Sequence, residues 1–541
     1  MLTPEQIEGF RIAAGRLMDP IHDFLLRDIA RRIQDAGNLT STAAYDAWRA
    51  EWLGKGRRDL EKELAELLGV SRQNARKLLR TAGKYGYDLT LAKRRGHQVP
   101  FEDNLPIQQI IEAAVELADQ ELKNITQTRA IQMMDPYGQY QALPQAYQAC
   151  TDFAFQQVFS GALDYNTAIR QACAGIARHG VSVAYESGVH TTIEAAVRRN
   201  IMGGLGLMVE QIQSENYVSL GCTGWEISAH ANSAPDHEPF QGKQYSDAEY
   251  QALNNSLRRR ISTLNCGHIA FPIVLGVDQP QYTNAELERL RQENEKGVDF
   301  DGQHYTGYEA TQHQRKIERA IRRQKRKVLL AAPEDADIER ARLLRLRQEY
   351  DRFSKGVGLR TEDERLEASG FNWKEWKQAE DGTKRIENLA NEMYDTGSVA
   401  GNLDAWLRDQ PIRRQIQSED TVTDIVPGQF RKHVYGTLEY EQYAEKLAAA
   451  GRYGPSRLTI TLEEAQALVD RYRGTGILAR RKDGTWLKQE WITTCPDRVG
   501  IVVNDLTGDE AYTTTFKIHY RKDGTHIVPD YPSRKGKKGA S

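Results

Sequence analysis

The chain has 541 residues, a formal net charge of -2 at pH 7 and a pI near 6.7, which predicts several domains and excludes a protein that is basic enough overall to coat nucleic acid. Its five cysteines are scattered and odd in number, which disfavours a disulfide framework and is typical of folding in a reducing cytoplasm. We expect no signal peptide and no membrane span, because the first residues lack a basic and then apolar pattern and no apolar run reaches about 18 residues.

Residues 1–100 are predicted to form a helical N-terminal region, because apolar residues such as Ile12 and Leu17 recur at helical spacing. One stretch within it, L-G-V-S-R-Q-N-A-R-K-L-L, resembles a DNA-reading helix-turn-helix in which Ser71 caps the second helix. The cations that this helix would present are Arg72, Arg76 and Lys77. The alternative is a capped surface helix in an α-helical bundle.

Residues 101–220 continue the helical spacing and are predicted to be a helical body, and residues 221–280 are predicted to be a small, mixed, loop-rich central core. This core contains four side chains with soft donor atoms: His230, His237, Cys266 and His268. Imidazole nitrogen and thiolate sulfur are preferred donors for tetrahedral zinc. The pattern predicts a structural zinc site, and the alternative is a hydrogen-bonded loop core.

Residues 281–371 are predicted to form a charged helical hairpin. Its first helix, at 308–330, is basic over most of its surface and has only a thin apolar seam. Such a helix could lie against DNA or an acidic protein surface, or it could be a solvated helix paired with the next one. Residues 372–424 lose periodicity and contain Gly and Pro, which predicts a linker with short helices and a domain boundary near residue 424.

Residues 425–530 change character and are predicted to form an α+β domain. One helix is predicted to begin at a Thr461 cap, with Glu464 three residues on, and to end at Gly474. Short strand-like segments follow, and Asp523 and Gly524 are predicted to form the turn of a hairpin. Residues 531–541 form a basic tail that is predicted to be disordered.

This C-terminal domain brings acid/base groups and cations together. Strand alternation places Lys517, His519 and Arg521 on one face, and His526 returns on the partner strand. Such a set suits RNA cleavage without a metal, because the 2′-hydroxyl is an internal nucleophile and needs only a base, an acid and a cation. The candidate catalytic residues are His433, Glu490, His519, His526, Lys432 and Thr525, and the candidate phosphate-binding residues are Arg431, Lys517 and Arg521. The alternative is that these are exposed polar residues of strands.

The sequence up to about residue 371 resembles the phage minor capsid protein 2 family, although Ala234 stands where the family usually has Arg. The matching segments around the central core are S-A-H (Ser228 to His230), P-x-H (Pro235 to His237), Q-G-K (Gln241 to Lys243) and N-C-x-H (Asn265 to His268). The resemblance implies a protein of the virion, in the capsid interior or at the portal vertex, with portal and major capsid proteins as partners and packaged DNA nearby.

Residues 427–530 resemble the polymorphic toxin type 50 domain, which is assigned to the barnase–EndoU–colicin–RelE-like nucleases. The matching residues include Gln429, Lys432, His433, Glu490, the run Ile518 to Tyr520 and the run Gly524 to Pro529. The resemblance implies RNA as the substrate and an immunity protein as a partner. The family commonly has Ser where this chain has Arg521.

Together these features predict a virion structural protein with a toxin domain that is a metal-independent ribonuclease and needs no cofactor. One alternative is a structural protein whose C-terminal domain only binds. Another is an enzymatic effector for which the rest of the chain serves as a packaging signal.

Overall fold

The computed structural model divides the chain into two compact units, the first at Met1–Gly382 and the second at Thr383–Ser541. The structure describes residues 4–37, 57–87, 99–125, 131–159, 171, 181–185, 190–261, 267–331, 333–368, 370–418 and 420–532. Within these ranges no helix is both long enough and apolar enough to cross a membrane.

The first unit is mainly helical and is built around one long central helix. Its described helices are α1 (Pro4–Arg16), α2 (Asp19–Gly37), α3 (Arg57–Gly86), α4 (Leu105–Ile125), α5 (Leu143–Phe159), α6 (Ile193–Ser219), α7 (Asp247–Ser256), α8 (Asn284–Lys296), α9 (Gly307–Leu330), α10 (Pro333–Gly356) and α11 (Trp373–Met393), the last of which crosses into the second unit. Helix α6 contacts α1, α3 and α4. Its residues Ile193, Val197 and Ile201 are almost fully buried, so its apolar face forms the centre of the core.

The segment that resembled a helix-turn-helix is part of one continuous helix, so that prediction is wrong. Helix α3 runs for 30 residues without a turn. Ser71 lies inside it and donates its hydroxyl to the carbonyl of Leu17 at 2.7 Å, so it does not cap a helix. Arg72 and Arg76 both bind the carboxylate of Asp119 on α4. These two arginines therefore join two helices, and the predicted DNA-reading surface is not formed.

Short strands lie between the helices of the first unit, and the predicted all-helical body at 101–220 contains some of them. The strands are β1 (Ile131–Met134), β2 (Tyr140–Ala142), β3 (Val181–Ala184), β4 (His190–Thr192), β5 (Gly224–Ile227), β6 (Gln244–Ser246), β7 (Ala270–Ile273), β8 (Val298–Phe300) and β9 (Gln303–Tyr305). They form antiparallel sheets in the orders β2-β1-β3-β4 and β6-β5-β7, and the hairpin β8-β9. Strands of three or four residues are too short to show an alternating pattern in the sequence.

The predicted charged hairpin is present, with α9 packed along α10. A capping box between Thr306 and Glu309 begins α9. Ile321 of α9 and Leu343 and Phe353 of α10 are buried in the shared core. The prediction that this helix pairs with the next one is therefore confirmed. The cations of α9 are not all solvated, however, as described below.

The predicted linker contains long helices instead of short ones. Besides the 21 residues of α11, helix α12 (Val399–Gln417) has 19 residues. The buried face of α12 mixes Leu403 and Ile416 with the charged Asp409 and Arg413. This mixture hides the helical period in the sequence, because a buried polar residue reads as exposed. Ile416 belongs to the core of the second unit, which begins upstream of the boundary predicted near residue 424.

The second unit is α+β, as predicted from the sequence. Its further helices are α13 (Pro427–Arg431), α14 (Leu438–Ala449) and α15 (Leu462–Tyr472). Its strands are β10 (Arg457–Leu458), which precedes α15, and β11 (Ile477–Arg480), β12 (Trp486–Ile492), β13 (Gly500–Val503), β14 (Glu510–Thr513), β15 (Phe516–Arg521) and β16 (Gly524–Pro529), which follow it. They form sheets in the orders β10-β13-β14 and β11-β12-β15-β16. The predicted cap of α15 is confirmed, since Thr461 and Glu464 form a capping box. The predicted fold class, a mainly helical protein with an α+β C-terminal domain, is confirmed.

The hairpin of β15 and β16 is present, but its turn lies one residue earlier than predicted. Arg521 pairs with Gly524, so the two turn residues are Lys522 and Asp523. Gly524 begins the strand at φ 138°, and a Cβ there would lie 2.3 Å from the carbonyl oxygen of Asp424. Gly524 is therefore required for close approach of the segment that leads into α13.

Candidate active site

Two imidazoles face each other on the hairpin of β15 and β16. His519 and His526 are directly opposite in the antiparallel register, so their side chains lie on the same face of the sheet. Their rings stack with centroids 4.6 Å apart. The ring of His433, just after α13, lies nearly parallel to that of His526, with centroids 6.3 Å apart. The structure thus brings all three predicted catalytic histidines together.

The tautomer of His433 is fixed by the main chain. Its Nδ1 lies 2.8 Å from the carbonyl oxygen of Ser456. A carbonyl oxygen can only accept, so Nδ1 donates its proton and Nε2 keeps a lone pair. The edge of the Tyr443 ring packs against the same imidazole at 5.9 Å. His433 is therefore a neutral, oriented ring whose second nitrogen can accept a proton.

All three rings are neutral in the free protein at pH 7. Burial, reinforced by Lys517 and His433, lowers the pKa of His519 to about 4. Burial, reinforced by His519 and His433, lowers the pKa of His526 to about 3. Burial also lowers the pKa of His433. In addition, Nδ1 of His526 is buried and has no hydrogen-bond partner among the described residues, so one ring atom of the cluster is not held by a hydrogen bond.

Three of the four predicted site cations act on these rings electrostatically. The positive charges of Lys432 and Arg521 help to lower the pKa of His526, and that of Lys517 acts on His519. Each cation also has a polar partner. The pairs are Lys517 with Asp530 at 2.5 Å, Lys432 with Gln429 at 3.2 Å, Arg521 with Asp523 at 3.3 Å and Arg431 with Glu439 at 2.6 Å. Arg431 is therefore held by a glutamate on α14 and is not placed with the histidines.

The structure does not bring Glu490 or Thr525 to the histidine face. Glu490 pairs with Ile518 in the register, which places it on the opposite, core side of the sheet. Its carboxylate is fully buried and accepts hydrogen bonds from three donors. They are the amides of Gly474 and Gly476 and the Tyr520 hydroxyl, at 2.9, 2.6 and 2.5 Å. Glu490 therefore holds the turn after α15 and cannot be the base or orient a histidine.

Thr525 also lies on the core side of the sheet, and its hydroxyl donates to the carbonyl of Thr423 at 2.7 Å. Two residues that sequence reasoning missed lie on the histidine face or beside it. Gln489 is directly opposite His519, and Asp530 binds the ammonium of Lys517. Alternation along β12 could have identified Gln489, whereas Asp530 lies just beyond the end of β16 and no periodic pattern marks it.

In the first unit, the three described histidines of the predicted zinc site lie together. The ring of His268 is 4.3 Å from that of His230 and 5.5 Å from that of His237. Each ring uses one nitrogen to bond an oxygen of the protein. The oxygens are the carbonyl of Ala231 for His230 at 2.9 Å, the carbonyl of Arg259 for His237 at 2.7 Å and the side chain of Gln241 for His268 at 3.1 Å. Cys266 lies outside the described residues.

Burial, reinforced by His230 and His237, lowers the pKa of His268 to about 2, so this ring stays neutral. Metal-bound histidines usually donate their second ring nitrogen to such an oxygen. The same bonds also suit a core held by hydrogen bonds alone. The zinc site therefore stays a prediction.

Among the described residues, one group of three has possible metal-binding atoms within 4.8 Å of one another: Asp19, His22 and Glu194. His22 Nε2 accepts the amide of Val181 at 2.9 Å, so the ring carries its proton on Nδ1, which lies 3.0 Å from Glu194. With its proton on Nδ1 and Nε2 accepting the amide, the neutral ring has no lone pair for a metal. The carboxylate of Glu194 also binds Arg326 at 2.8 Å. This group fits an ion-pair network better than a metal site.

Comparison with known proteins assigns both parts of the chain. A family model described as phage minor capsid protein 2 matches residues 2–354, and one described as bacterial toxin 50 matches residues 425–529. The second match contains the three histidines of the candidate site. No curated protein and no solved structure matches the chain. Because the first match covers more than half of its length, the chain belongs to the phage minor capsid protein 2 family and is a phage structural protein with a toxin module at its C-terminal end.

Proposed function

We propose that the toxin module is a ribonuclease that needs no metal, and that the first unit holds it in the phage head near the portal. The proposal of a ribonuclease rests on one observation, the stacking of His519 on His526 with His433 beside them. Cleavage needs one group that removes a proton and another that donates a proton at the same phosphodiester, and two neighbouring imidazoles can supply both.

The reaction proceeds by attack of the RNA on itself. A neutral imidazole takes the proton of a ribose 2′-hydroxyl, and the oxygen attacks the adjacent phosphorus. The bond from phosphorus to the 5′-oxygen breaks, and a protonated imidazole gives its proton to that leaving oxygen. The products are a 2′,3′-cyclic phosphate and a free 5′-hydroxyl. The imidazole that acted as the base is now protonated, and the one that acted as the acid is now neutral. A cation near the phosphate stabilises the extra negative charge of the transition state.

We infer that the two rings take opposite protonation states when RNA is bound. Positive charge on one ring of a pair 4.6 Å apart disfavours positive charge on the other. A bound phosphate raises both pKa values, so the pair takes up one proton when RNA binds. One ring then serves as the base while the other serves as the acid. Lys517 and Arg521 flank His519 on its strand and are the proposed phosphate-binding cations.

The experiment is cleavage of total RNA by the full-length protein in EDTA. We expect His519→Asn and His526→Asn each to lower the rate by about 100-fold or more, the usual worth of a general acid or base. His433→Asn should also lower it. The matched control is His304→Asn, because His304 is an exposed histidine of the first unit that pairs with Asp299. Loss of activity in EDTA, or full activity in the His526→Asn variant, would contradict the proposal. RNA that is bound but left intact would favour the binding role.

The position of the first unit in the particle is supported by its family and its surface. Helices α4 and α6 carry exposed apolar residues, Leu105 and Leu117 on the first and Leu207 and Val218 on the second. Apolar side chains on helices suit packing against other proteins. We propose the portal and major capsid proteins as these partners, with packaged DNA nearby and an immunity protein as the partner of the toxin module.

A further inference from the structure

The first unit contains a cavity of about 1210 Å³ in which arginine is the most frequent lining residue. Its described lining includes eleven arginine or lysine side chains and six carboxylates. Most of the cations come from α9, and the others come from α1, α6 and the segments around residues 259 and 365. The cavity is large enough for a ligand of drug size or more, since such sites measure roughly 300–1,000 Å³.

Four of the six carboxylates of the cavity lie within ion-pair distance of arginines. Glu194 binds Arg326 at 2.8 Å. Glu8 binds Arg365 at 3.0 Å, and Glu367 binds Arg16. Glu318 lies 3.4 Å from Arg365. Most of the carboxylates of the cavity are thus paired within the protein, and the eleven cations outnumber the six carboxylates.

The remaining cations are Arg198, Lys316, Arg319, Arg322 and Arg323, for which the structure gives no ion pair with any described carboxylate. Arg198 on α6 and Arg322 on α9 are partly buried, whereas the other three cations are exposed. The Nε of Arg198 is also enclosed without a hydrogen-bond partner among the described residues. Burial and the positive charges of Arg11 and Arg322 lower its pKa. A buried cation beside other cations destabilises a fold unless an anion compensates it.

We propose that this cavity binds a ligand with two or more clustered phosphate groups, held chiefly by Arg198, Arg319 and Arg322. Guanidinium groups suit phosphate because their parallel N–H groups match two of its oxygens. A single phosphate would balance only part of the surplus charge, whereas a pyrophosphate or triphosphate group would balance most of it. Exposed Lys316 and Arg323 lie on the same helix and would attract the anion to the entrance.

The test is titration of the full-length protein with inorganic tripolyphosphate, followed by calorimetry and by the thermal midpoint of the first unit. We expect binding that weakens as salt rises and that raises the midpoint. Arg198→Gln should weaken binding at least tenfold and leave the midpoint of the ligand-free protein unchanged or higher, because it removes an uncompensated charge. If Arg198 only stabilised the fold, the Arg198→Gln substitution would lower the midpoint of the ligand-free protein.

Two further variants keep the test decisive. Arg319→Gln changes an exposed residue of the cavity and should also weaken binding, so it serves if Arg198→Gln does not fold. Arg289→Gln is the matched control, because Arg289 is an exposed arginine of α8 outside the cavity lining. Absence of binding by the unchanged protein, or equal affinity in Arg319→Gln and Arg289→Gln, would overturn the proposal.

A competition experiment, in which a second ligand displaces bound tripolyphosphate, identifies the kind of molecule that supplies the phosphate groups. A single-stranded oligonucleotide that displaces tripolyphosphate identifies a nucleic acid backbone as the ligand, whereas displacement by ATP alone identifies a free nucleotide. Because the cavity lies in the first unit, its test is independent of RNA cleavage by the second.

Discussion

His526 lies between two other imidazoles, and at the scale of single residues its neighbours decide what it can do. Strand alternation in the sequence predicts that His519 and His526 share a face, and the structure agrees. The prediction that Glu490 is a catalytic residue is wrong, because its residue type does not show which face of the sheet its carboxylate occupies. A carboxylate inside the core has no signature in the sequence when main-chain amides are its partners.

Replacing Glu490 with Gln tests its structural role. A glutamine amide would present its own N–H donors to the amides of Gly474 and Gly476, so at least one buried donor would lose its partner. We expect the second unit to lose about 1–3 kcal/mol of stability, measured by chemical unfolding, and RNA cleavage per folded molecule to be unchanged. Glu445→Gln, at an exposed position of α14, is the control. Cleavage that falls without any loss of stability would instead make Glu490 a catalytic group.

Asp19 provides a pH test in the first unit. Burial, reinforced by the charge of Glu194, raises its pKa to about 6. A carboxyl group whose pKa is higher in the folded state adds stability at low pH and loses it as the pH rises from about 4 to about 6. We therefore expect Asp19→Asn to raise the thermal midpoint relative to the unchanged protein above pH 6, with the difference vanishing near pH 4. A difference that is constant from pH 4 to 7 would show that Asp19 does not titrate in this range.

At the scale of elements, the helix cap was predictable, the hairpin turn was misplaced by one residue, and buried polar faces were not predictable. The cap of α15 follows from Thr461 and Glu464 alone, because both partners are local in sequence. Helix α12 was missed because Asp409 and Arg413 occupy its buried side, and their partners lie elsewhere in the fold. Arg480 binds Asp409, and the carbonyl of Gly474 accepts from Arg413. Such pairs exist only once the chain has folded.

The entry to β16 depends on a glycine. Gly524→Ala would place a methyl group against the carbonyl of Asp424, so we expect a marked loss of stability in the second unit, measured by thermal unfolding. Gly484→Ala is the matched control, because Gly484 also has a positive φ but has open space around it. It should cost only about 1–2 kcal/mol of backbone strain. Equal losses of stability in the two variants would show that the close approach of the Asp424 carbonyl to residue 524 does not contribute to stability.

Metal analysis of the purified protein can decide whether the central histidine cluster binds zinc. The zinc prediction requires about one zinc per chain and its loss in Cys266→Ser. Protein purified without chelators and found to contain no zinc would leave the hydrogen bonds of His230, His237 and His268 as the whole explanation.

At the scale of the whole molecule, the division into two compact units explains why one chain matches two unrelated families. The first unit contains the match to phage minor capsid protein 2, and the second contains the match to bacterial toxin 50. The sequence predicted both resemblances and the three histidines of the site. It did not predict the arginine-lined cavity, because that surface is assembled from segments about 350 residues apart in the chain.

Imaging of intact phage particles tests the position of the first unit. We expect density for its helices inside the head next to the portal, and its absence in particles made without this chain. Density on the outer surface of the capsid would contradict the proposed position.

The most direct measurement is the chemistry of the cleaved RNA ends. The full-length protein in EDTA should leave 2′,3′-cyclic phosphates and 5′-hydroxyls, and an RNA with a single 2′-deoxyribose at the cleaved position should resist cleavage there. Equal cleavage of the 2′-deoxy substrate, or products with 5′-phosphates, would contradict the proposal that paired imidazoles activate the ribose of the RNA itself.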